Sequence, residues 1–305
     1  MIDTIRVKYH IRPSSVHLQA WTIRSVETAT GKRYSLTYNP QSENQVFPRF
    51  TYYPQGYDGT PILTFEVSLP KLIFGNNYQE ITNVDEAMIA ANTILEKVPN
   101  APELNISDGV LIRLDLCHNH QVGDAVDDYI NAIGNLEYPH RRTKYHRNEG
   151  VEFRARHKTT KFYNKERESG FVEAYGILRQ ETTLLKPKDI QKLCGCAAPT
   201  LLELSNQKIT DTLNDDLSKL GLLNNSIANR STALQTLCSV HGDDAGIYYF
   251  GLLMSKLDKS KKRIRQDTKM HPRSLDRKLK KIKDAGIPLT LTDREEPLPP
   301  LFIEL

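Results

Sequence analysis

The segment Arg156-His157-Lys158-Thr159-Thr160-Lys161-Phe162-Tyr163-Asn164-Lys165-Glu166 is the most informative stretch of the chain. Its alternating pattern predicts a short β-strand. Alternate residues of a strand face the same side, so Lys161, Tyr163 and Lys165 share one face and Phe162 lies on the other. The pattern therefore predicts a sheet here and places a phenol among basic side chains.

A phenol in positive surroundings can attack a phosphodiester and keep the 5′-phosphate as a covalent ester. The basic neighbours are expected to lower the phenol pKa from about 10 and to hold a DNA backbone. Taken alone the segment is weak evidence, because most tyrosines on strands are packing residues.

Composition excludes several classes of protein. The chain has 305 residues, 39% hydrophobic and 26% charged, which is typical of a globular protein of about two domains. The sequence has no apolar run long enough for a membrane span and no secretory signal at its start. Its four cysteines lack disulfide or zinc spacing, which favours a reducing cytoplasm. The net charge of +4 is too mild to indicate nucleic-acid binding by itself.

Strand patterns dominate the first 185 residues. Asn83 is expected to cap one helix, and a second covers about 123–134. Strands without regular βαβ spacing predict an α+β fold with a mostly antiparallel sheet. The predicted strands are 2–9, 16–27, 33–39, 49–54, 62–69, 110–117, 151–156, 159–164 and 172–185.

After residue 185 the patterns become helical, with Gly221 and Gly286 as stop signals. We expect a catalytic domain over 1–185 and a helical, basic DNA-binding domain over 186–305. Two short strand patterns after the last helix are consistent with a winged-helix end. The helical patterns cover 189–194, 211–220, 231–240, 243–257 and 274–285, and the two strand patterns cover 287–291 and 300–304.

Three predicted strands with apolar backs each carry one carboxylate in the middle, namely Glu66, Asp115 and Glu181. If these faces line one side of the sheet, the carboxylates converge near Tyr163. Carboxylate oxygens suit Mg²⁺ or Mn²⁺, and such an ion would polarise a phosphodiester.

Basic side chains near the three carboxylates could either assist the reaction of Tyr163 or simply neutralise the carboxylates. Lys161 or Lys165 would stabilise the phenolate and the phosphate. The alternative is a solvated sheet face, or carboxylates paired with Arg113 and Arg179 on the same strands. His118 and His120 have a spacing that can bind metal, but the segment is expected to be an exposed loop.

Two basic segments, 140–167 and 256–283, suggest contact with a phosphate backbone. In the second segment Leu275, Leu279 and Ile282 form the apolar stripe of a helix whose remaining face is basic, and that helix could instead bind an acidic partner. The candidate DNA-binding residues are Arg154, Arg156, Lys158, Arg273, Arg277, Lys280 and Lys281.

A set of short motifs in a fixed order resembles the replication initiators of filamentous phages, the gene II/gene X family of phage and plasmid replication proteins. The motifs are Met1-Ile2-Asp3, Phe65-Glu66-Val67-Ser68-Leu69-Pro70-Lys71 with Phe74-Gly75-Asn76-Asn77, Ile112-Arg113-Leu114-Asp115, Arg156-His157-Lys158-Thr159 with Phe162-Tyr163-Asn164-Lys165, Leu178-Arg179-Gln180-Glu181 and Lys280-Lys281-Ile282-Lys283-Asp284-Ala285-Gly286-Ile287-Pro288.

This resemblance implies a rolling-circle endonuclease and strand transferase with an HUH-endonuclease-like catalytic domain. Such an enzyme nicks one strand of the supercoiled origin and later rejoins the displaced strand. The family's nucleophile falls on Tyr163 and its strand aspartate on Asp115, while Glu66 and Glu181 match acidic strand positions. The expected partners are origin DNA, as duplex and single strand, and host helicase and polymerase in the cytoplasm of a bacterial host.

Four alternatives remain open at this point. Tyr145 is a rival nucleophile, because related plasmid initiators and relaxases can carry the tyrosine upstream. The chain could be such a plasmid initiator or relaxase. It could also be a DNA-binding regulator that has kept the fold without the chemistry, or an ordinary structural protein with solvated basic faces.

Overall fold

A computed structural model describes residues 1–10, 48–53, 60–96, 104–146 and 149–304, together with the strand pairing of 22–28 and 31–38. All neighbouring strands run antiparallel in one sheet of order β2-β3-β4-β5-β1-β6-β10-β9-β8-β7. The strands are β1 Ile2–Tyr9, β2 Thr22–Thr28, β3 Gly31–Tyr38, β4 Arg49–Tyr53, β5 Ile62–Ser68, β6 Val110–Gln121, β7 Arg142–His146, β8 Gly150–Arg154, β9 Lys158–Asn164 and β10 Ile177–Leu184.

The helices begin and end largely where the sequence predicts. The Asn83 side chain accepts a hydrogen bond from the Glu86 backbone N–H at 2.7 Å and caps α2. Gly221 ends α6 in the left-handed conformation. The helices are α1 Leu69–Phe74, α2 Val84–Leu95, α3 Val126–Gly134, α4 Lys165–Ser169, α5 Pro187–Cys194, α6 Asn206–Leu220, α7 Arg230–His241, α8 Asp243–Asp258, α9 Lys261–Thr268 and α10 Pro272–Asp284.

These elements confirm the predicted mixture of helices with an antiparallel sheet. Four elements, β7, α1, α4 and α9, have no counterpart among the predicted ones. Residues 16–21 of the second predicted strand lie outside the described residues. Among the helices that the structure describes, none has the length and apolar character to cross a membrane.

One face of the sheet is apolar and covered by helices, and the other is polar. In β5, Leu63, Phe65 and Val67 are buried while Glu66 points to the polar face. A bulge in β6 lets Arg113 pair with Arg6 while Leu111 pairs with Val7. Leu111 therefore enters the core, although simple alternation put it on the polar side.

Two apolar cores divide the molecule. The first contains the sheet together with α2, α3, α5 and α6, and extends along the chain to Leu222 and Ile227. The second begins at Ala228 and is formed by α7 to α10 and the segment up to Leu291. The secondary structure changes near residue 185, but the packing changes only between Ile227 and Ala228.

The C-terminal segment does not form the expected wing. Residues after α10 make isolated bridges, such as Leu223 with Leu301 and Ile227 with Leu298, rather than a hairpin. Leu298, Leu301 and Ile303 pack in the first core instead. Apolar residues in this segment gain burial by returning to the sheet domain, which explains the difference from the predicted pair of strands.

A buried carboxylate connects α6 to the sheet. Asp216 has no solvent exposure and accepts hydrogen bonds from Tyr138 Oη, Lys158 Nζ, Thr160 Oγ1 and Thr182 Oγ1 at 2.5–2.8 Å. Burial alone would raise the pKa of Asp216, but Lys158 and these hydrogen bonds hold it below its usual value.

We expect Asp216→Ala to lower the free energy of unfolding by about 3–5 kcal/mol, because it leaves the buried Arg141 side chain and the half-buried Lys158 without their anionic partner. The neighbouring Asp215 is exposed and forms an ion pair with the exposed Lys219. Asp215→Ala should therefore cost about 0.5 kcal/mol or less. Urea denaturation of the two variants measures both values, and equal losses would contradict the role assigned to Asp216.

Candidate active site

Tyr163, Lys161 and Glu181 meet on the polar face of the sheet, as the sequence predicts. Tyr163 Oη donates to Glu181 Oε2 at 3.0 Å, and Lys161 Nζ donates to Glu181 Oε1 at 3.2 Å. The pairing of β9 with β10 explains the contact, because Lys161 lies directly across from Glu181 and Tyr163 across from Arg179. The phenol therefore stands beside an acceptor for its proton.

A cavity of about 470 Å³ opens over Tyr163, which is partly exposed to it. Carboxylates outnumber lysine and arginine among its lining residues. A phosphodiester entering this cavity therefore needs further positive charge. The charged lining residues are Glu149, Glu152, Glu168, Glu181, Lys161 and Arg167.

The pKa of Tyr163 moves opposite to the sequence expectation. Burial raises it well above its usual value, and the charge of Glu181 raises it further. Arg179 opposes this shift but does not reverse it. Tyr163 is therefore protonated at neutral pH and needs a base if it is to attack a phosphorus atom.

Gly150 makes room for Tyr163 on the neighbouring strand. It lies directly across from Tyr163 in the pairing of β8 with β9. A Cβ atom on Gly150 would lie 2.5 Å from the Phe162 carbonyl oxygen and 2.6 Å from Tyr163 Cβ. The absence of a side chain thus permits the close approach of these strands, and sequence patterns did not single out this residue.

Arg113 lies between two of the three predicted metal-binding carboxylates, Glu66 and Asp115. Arg113 donates to Asp115 at 2.7 Å and to Glu66 at 3.0 Å, and Arg6 also bonds Glu66. Glu66 is on β5, which β1 separates from β6. The sequence left open that these carboxylates pair with Arg113 instead of binding a metal ion. The structure contains this pairing for Asp115 and Glu66.

Asp115 and Glu181 lie on adjacent strands, whereas Glu66 lies two strands from Asp115 and three from Glu181. Asp115 pairs with Thr183, so it is a diagonal neighbour of Glu181 on the same face. Burial raises the pKa of Asp115 to about 6 against the effect of Arg113, and the Glu181 charge also raises it. Within the described ranges, no three His, Cys, Asp or Glu side chains are grouped closely enough to hold a metal ion.

Lys165 does not project beside Lys161 as predicted. The chain turns into α4 at this residue, with the Asn164 side chain capping the helix. The Lys165 side chain is fully buried, donates to Glu168 Oε2 at 2.5 Å and lies 5.6 Å from the centre of the Tyr163 ring. Burial lowers the pKa of Lys165, and the charge of Arg179 lowers it further. Because its side chain is buried next to the ring, Lys165 supports Tyr163 instead of facing the cavity.

Sequence reasoning missed a buried ion pair next to the site. Arg179 is fully buried and donates to Asp3 Oδ2 at 2.6 Å and to Asn119 Oδ1 at 3.0 Å. Its Nε–H has no acceptor among the described residues, and such a group costs about 1–3 kcal/mol. The sequence feature that could have indicated a buried ion pair is the position of Arg179 on the same strand face as Glu181.

The histidine pair lies on the opposite face of the sheet. β6 continues to Gln121, so His118 and His120 are strand residues and not an exposed loop. His120 is buried and donates through Nε2 to Gln180 Oε1 at 3.0 Å. Burial, and then His118, lower its pKa to about 4. Neither histidine can share a site with Tyr163.

The predicted DNA-binding residues divide into exposed and structural ones. Arg154 and Arg156 are exposed, although Arg154 also pairs with Glu152 at 2.7 Å. Lys158 is bound to buried Asp216 and does not present a free cation. On α10, Leu275, Leu279 and Ile282 are buried as predicted. The exposed basic residues of that helix include Arg273, Arg277, Lys280 and Lys281.

The rival nucleophile Tyr145 lies away from this cavity. It is on the edge strand β7, and its hydroxyl donates to Asn131 of α3. It packs against Gly134 at the end of α3, on the helix-covered side of the sheet. Tyr163 is therefore the tyrosine that the structure places next to Glu181.

Comparison with known proteins adds little to this geometry. No protein-family model and no curated protein matches the chain. One similar solved structure is a rolling circle replication initiator protein from Geobacillus stearothermophilus, with 12% identity, coverage of 72% of this chain and 83% of that chain, and a TM-score of 0.35. Similarity at this level transfers no function, so the function is argued from the site.

We expect Gly150→Ala to displace Tyr163 and to lower the free energy of unfolding by about 1–3 kcal/mol, because the new methyl group overlaps β9. Gly251 on α8 is a matched control, since a Cβ there meets no atom within 4 Å. Gly251→Ala should stabilise the protein by up to about 1 kcal/mol. Urea denaturation compares the two, and a neutral Gly150→Ala would contradict the close approach described here.

Proposed function

We propose that the protein is a DNA nicking–joining enzyme that initiates rolling-circle replication at a phage or plasmid origin. The observation that carries this proposal is the hydrogen bond from Tyr163 to Glu181 at the floor of an open cavity. It pairs a nucleophile with a base on two adjacent, rigid strands. The motif resemblance supplies the substrate class, and the geometry supports the chemistry.

The proposed nicking step uses these two side chains. Tyr163 Oη attacks the phosphorus atom while its proton passes to Glu181, which is already within hydrogen-bonding distance. The bond from phosphorus to the 3′-oxygen breaks, and that oxygen leaves as a 3′-hydroxyl after taking a proton from water, while Glu181 returns its proton to the solvent. The 5′-phosphate remains as an ester of Tyr163. Rejoining is the reverse reaction, with a 3′-hydroxyl as the attacking group.

Lys161 would orient the base in this reaction. It holds Glu181 Oε1 while Tyr163 bonds Oε2, so the two carboxylate oxygens have separate partners. This arrangement leaves Oε2 of Glu181 to accept the phenol proton. Lys161 is also partly exposed to the cavity and can contact the phosphate.

The proposal includes a Mg²⁺ or Mn²⁺ ion held by Asp115 and Glu181. The donor types suit such an ion, because both are carboxylates on neighbouring strands of one face and the Glu181 charge raises the pKa of Asp115. The ion would compete with Arg113 and Lys161, which pair with these two carboxylates. Glu66 is farther from this pair and is held by arginines. When bound, the ion would neutralise charge on the phosphodiester, which the acidic cavity otherwise repels.

Two exposed basic surfaces support binding of the DNA backbone. Arg142, Lys144 and Arg154 lie on the same sheet face as Lys161, through the pairing of β7, β8 and β9. The exposed face of α10 forms the second surface. Phosphate contacts of this kind give salt-dependent affinity with little sequence preference, so origin choice would require contacts beyond these.

Tyr163→Phe should abolish the covalent protein–DNA adduct while leaving DNA affinity nearly unchanged, because only the nucleophilic oxygen is removed. Tyr145→Phe is the matched control and should retain the adduct. The measurement uses labelled single-stranded DNA from the intergenic region of the protein's own genome with Mn²⁺, followed by denaturing electrophoresis. An adduct with Tyr163→Phe would show that another residue is the nucleophile, and no adduct with the unchanged protein would favour a DNA-binding regulator.

Asp115→Asn should raise the Mg²⁺ or Mn²⁺ concentration needed for half-maximal nicking at least about tenfold, because one anionic ligand becomes neutral. The control is Asp211→Asn, a change at an exposed residue of α6 far from this face. Titration of the metal against supercoiled origin DNA measures the effect. Nicking that does not depend on the metal concentration in the unchanged protein would contradict the proposed carboxylate site.

A further inference from the structure

We infer that Arg179, held in place by Asp3, is a positioning residue for the reaction of Tyr163, and that its buried charge stabilises negative charge on the catalytic face. This inference rests on the proposed nicking function and extends it to residues outside the cavity. It also gives a role to the opening Met1-Ile2-Asp3 motif, which neither the cavity nor the metal site uses.

Arg179 occupies the position between the reacting pair and the centre of the sheet. It lies directly across from Tyr163 on one side and from Asn119 on the other. It is also two residues before Glu181 on the same face of β10. A change at Arg179 therefore acts on both the nucleophile and its base without touching the cavity.

The ion pair between Arg179 and Asp3 is oriented across the sheet, from β10 to β1. Asp3 is on β1 and accepts a second hydrogen bond from Ser68 Oγ at 2.9 Å. Because β6 and β10 lie between β1 and β9, the Asp3 carboxylate is on the side remote from Tyr163. The positive end of the pair is thus the end nearer to the tyrosine.

Burial distinguishes Arg179 from the other cations named on this face. The side chains of Arg113 and Lys161 are 31% and 40% exposed, and each already bonds a carboxylate of the site. The Arg179 side chain is 0% exposed. Solvent and salt screen a buried charge much less than an exposed one. The Lys165 side chain is also 0% exposed, but it pairs with Glu168, and burial and the charge of Arg179 lower its pKa. Arg179 therefore supplies the more persistent positive field of the two buried cations.

Negative charge accumulates on this face during the proposed reaction. A phosphodiester adds one charge beside Glu181 and Asp115, and further charge develops on the phosphoryl oxygens in the transition state. A fixed cation acts on such charge without reorganisation of solvent. The hydrogen bond to Asn119 holds the guanidinium in place for this purpose.

Two variants separate this role from a purely structural one. The double variant Asp3→Asn with Arg179→Gln removes both charges, so no unpaired charge remains buried. The single variant Asp3→Asn keeps the positive charge and removes its compensation. If Arg179 acts only structurally, both variants should lower the adduct rate in parallel with the free energy of unfolding. If its charge acts on the reaction, the double variant should lower the rate and Asp3→Asn should not.

The experiment measures three quantities for the full chain with single-stranded intergenic DNA and Mn²⁺: the dissociation constant, the single-turnover rate of adduct formation at saturating DNA, and stability in urea. We expect the double variant to lose about tenfold or more in rate with nearly unchanged DNA affinity. Asp3→Asn should keep at least the original rate, because the asparagine oxygen can still accept the hydrogen bond that holds Arg179 while the opposing charge is removed. Arg179→Lys should recover part of the loss. Arg230→Gln, which removes an exposed arginine, is the control.

An unchanged rate in a folded double variant would overturn the inference, as would an equal loss in Asp3→Asn. If the double variant does not fold, the comparison of Asp3→Asn with Arg179→Lys decides, because the inference requires Asp3→Asn to be the faster of the two. Failure of the proposed function is a separate outcome: in that case the unchanged protein forms no adduct at all.

Discussion

The register between β9 and β10 is the constraint on which the candidate site depends. On the polar face it places Lys161 across from Glu181, and on the core face it places Thr160 across from Thr182. Asp216 of α6 accepts hydrogen bonds from both threonines on the core face. These bonds stabilise the same strand register that places Glu181 next to Lys161 and Tyr163 on the polar face. A shift of one residue would turn Tyr163 into the core and Phe162 out.

Charge is distributed differently from what a basic strand suggests. The basic residues around Tyr163 are mostly engaged with carboxylates or buried, as Lys158 with Asp216 and Lys165 with Glu168 show. Burial and Glu181 therefore raise the phenol pKa instead of lowering it. In the proposed reaction the tyrosine would therefore rely on a hydrogen-bonded base, and an incoming phosphate would rely on cations that the cavity itself does not contain in excess.

Side-chain alternation predicted which residues share a face, and this was sufficient for Tyr163, Glu181 and Asp115. Alternation contains no information on strand order, so it could not show that β1 separates Glu66 from the other two carboxylates. The C-terminal segment was mispredicted for a related reason: its apolar residues suit a strand and a buried tail equally well. Asp216 was missed because a single acidic residue on a helix looks like a solvated one until its partners from distant strands are known.

The two cores are joined at both ends of the helical part, and this affects how the basic surfaces can act. The chain leaves the first core near Ile227 and returns to it at Leu298. Glu137, which follows α3, pairs with Lys256 of α8 and Lys261 of α9 at 3.2 and 3.1 Å. Because α10 packs on α8 and α9, these contacts restrain its position relative to the sheet. DNA bound along α10 would thus be held by a surface that is coupled to the strands carrying Tyr163, and not by an independent module on a linker.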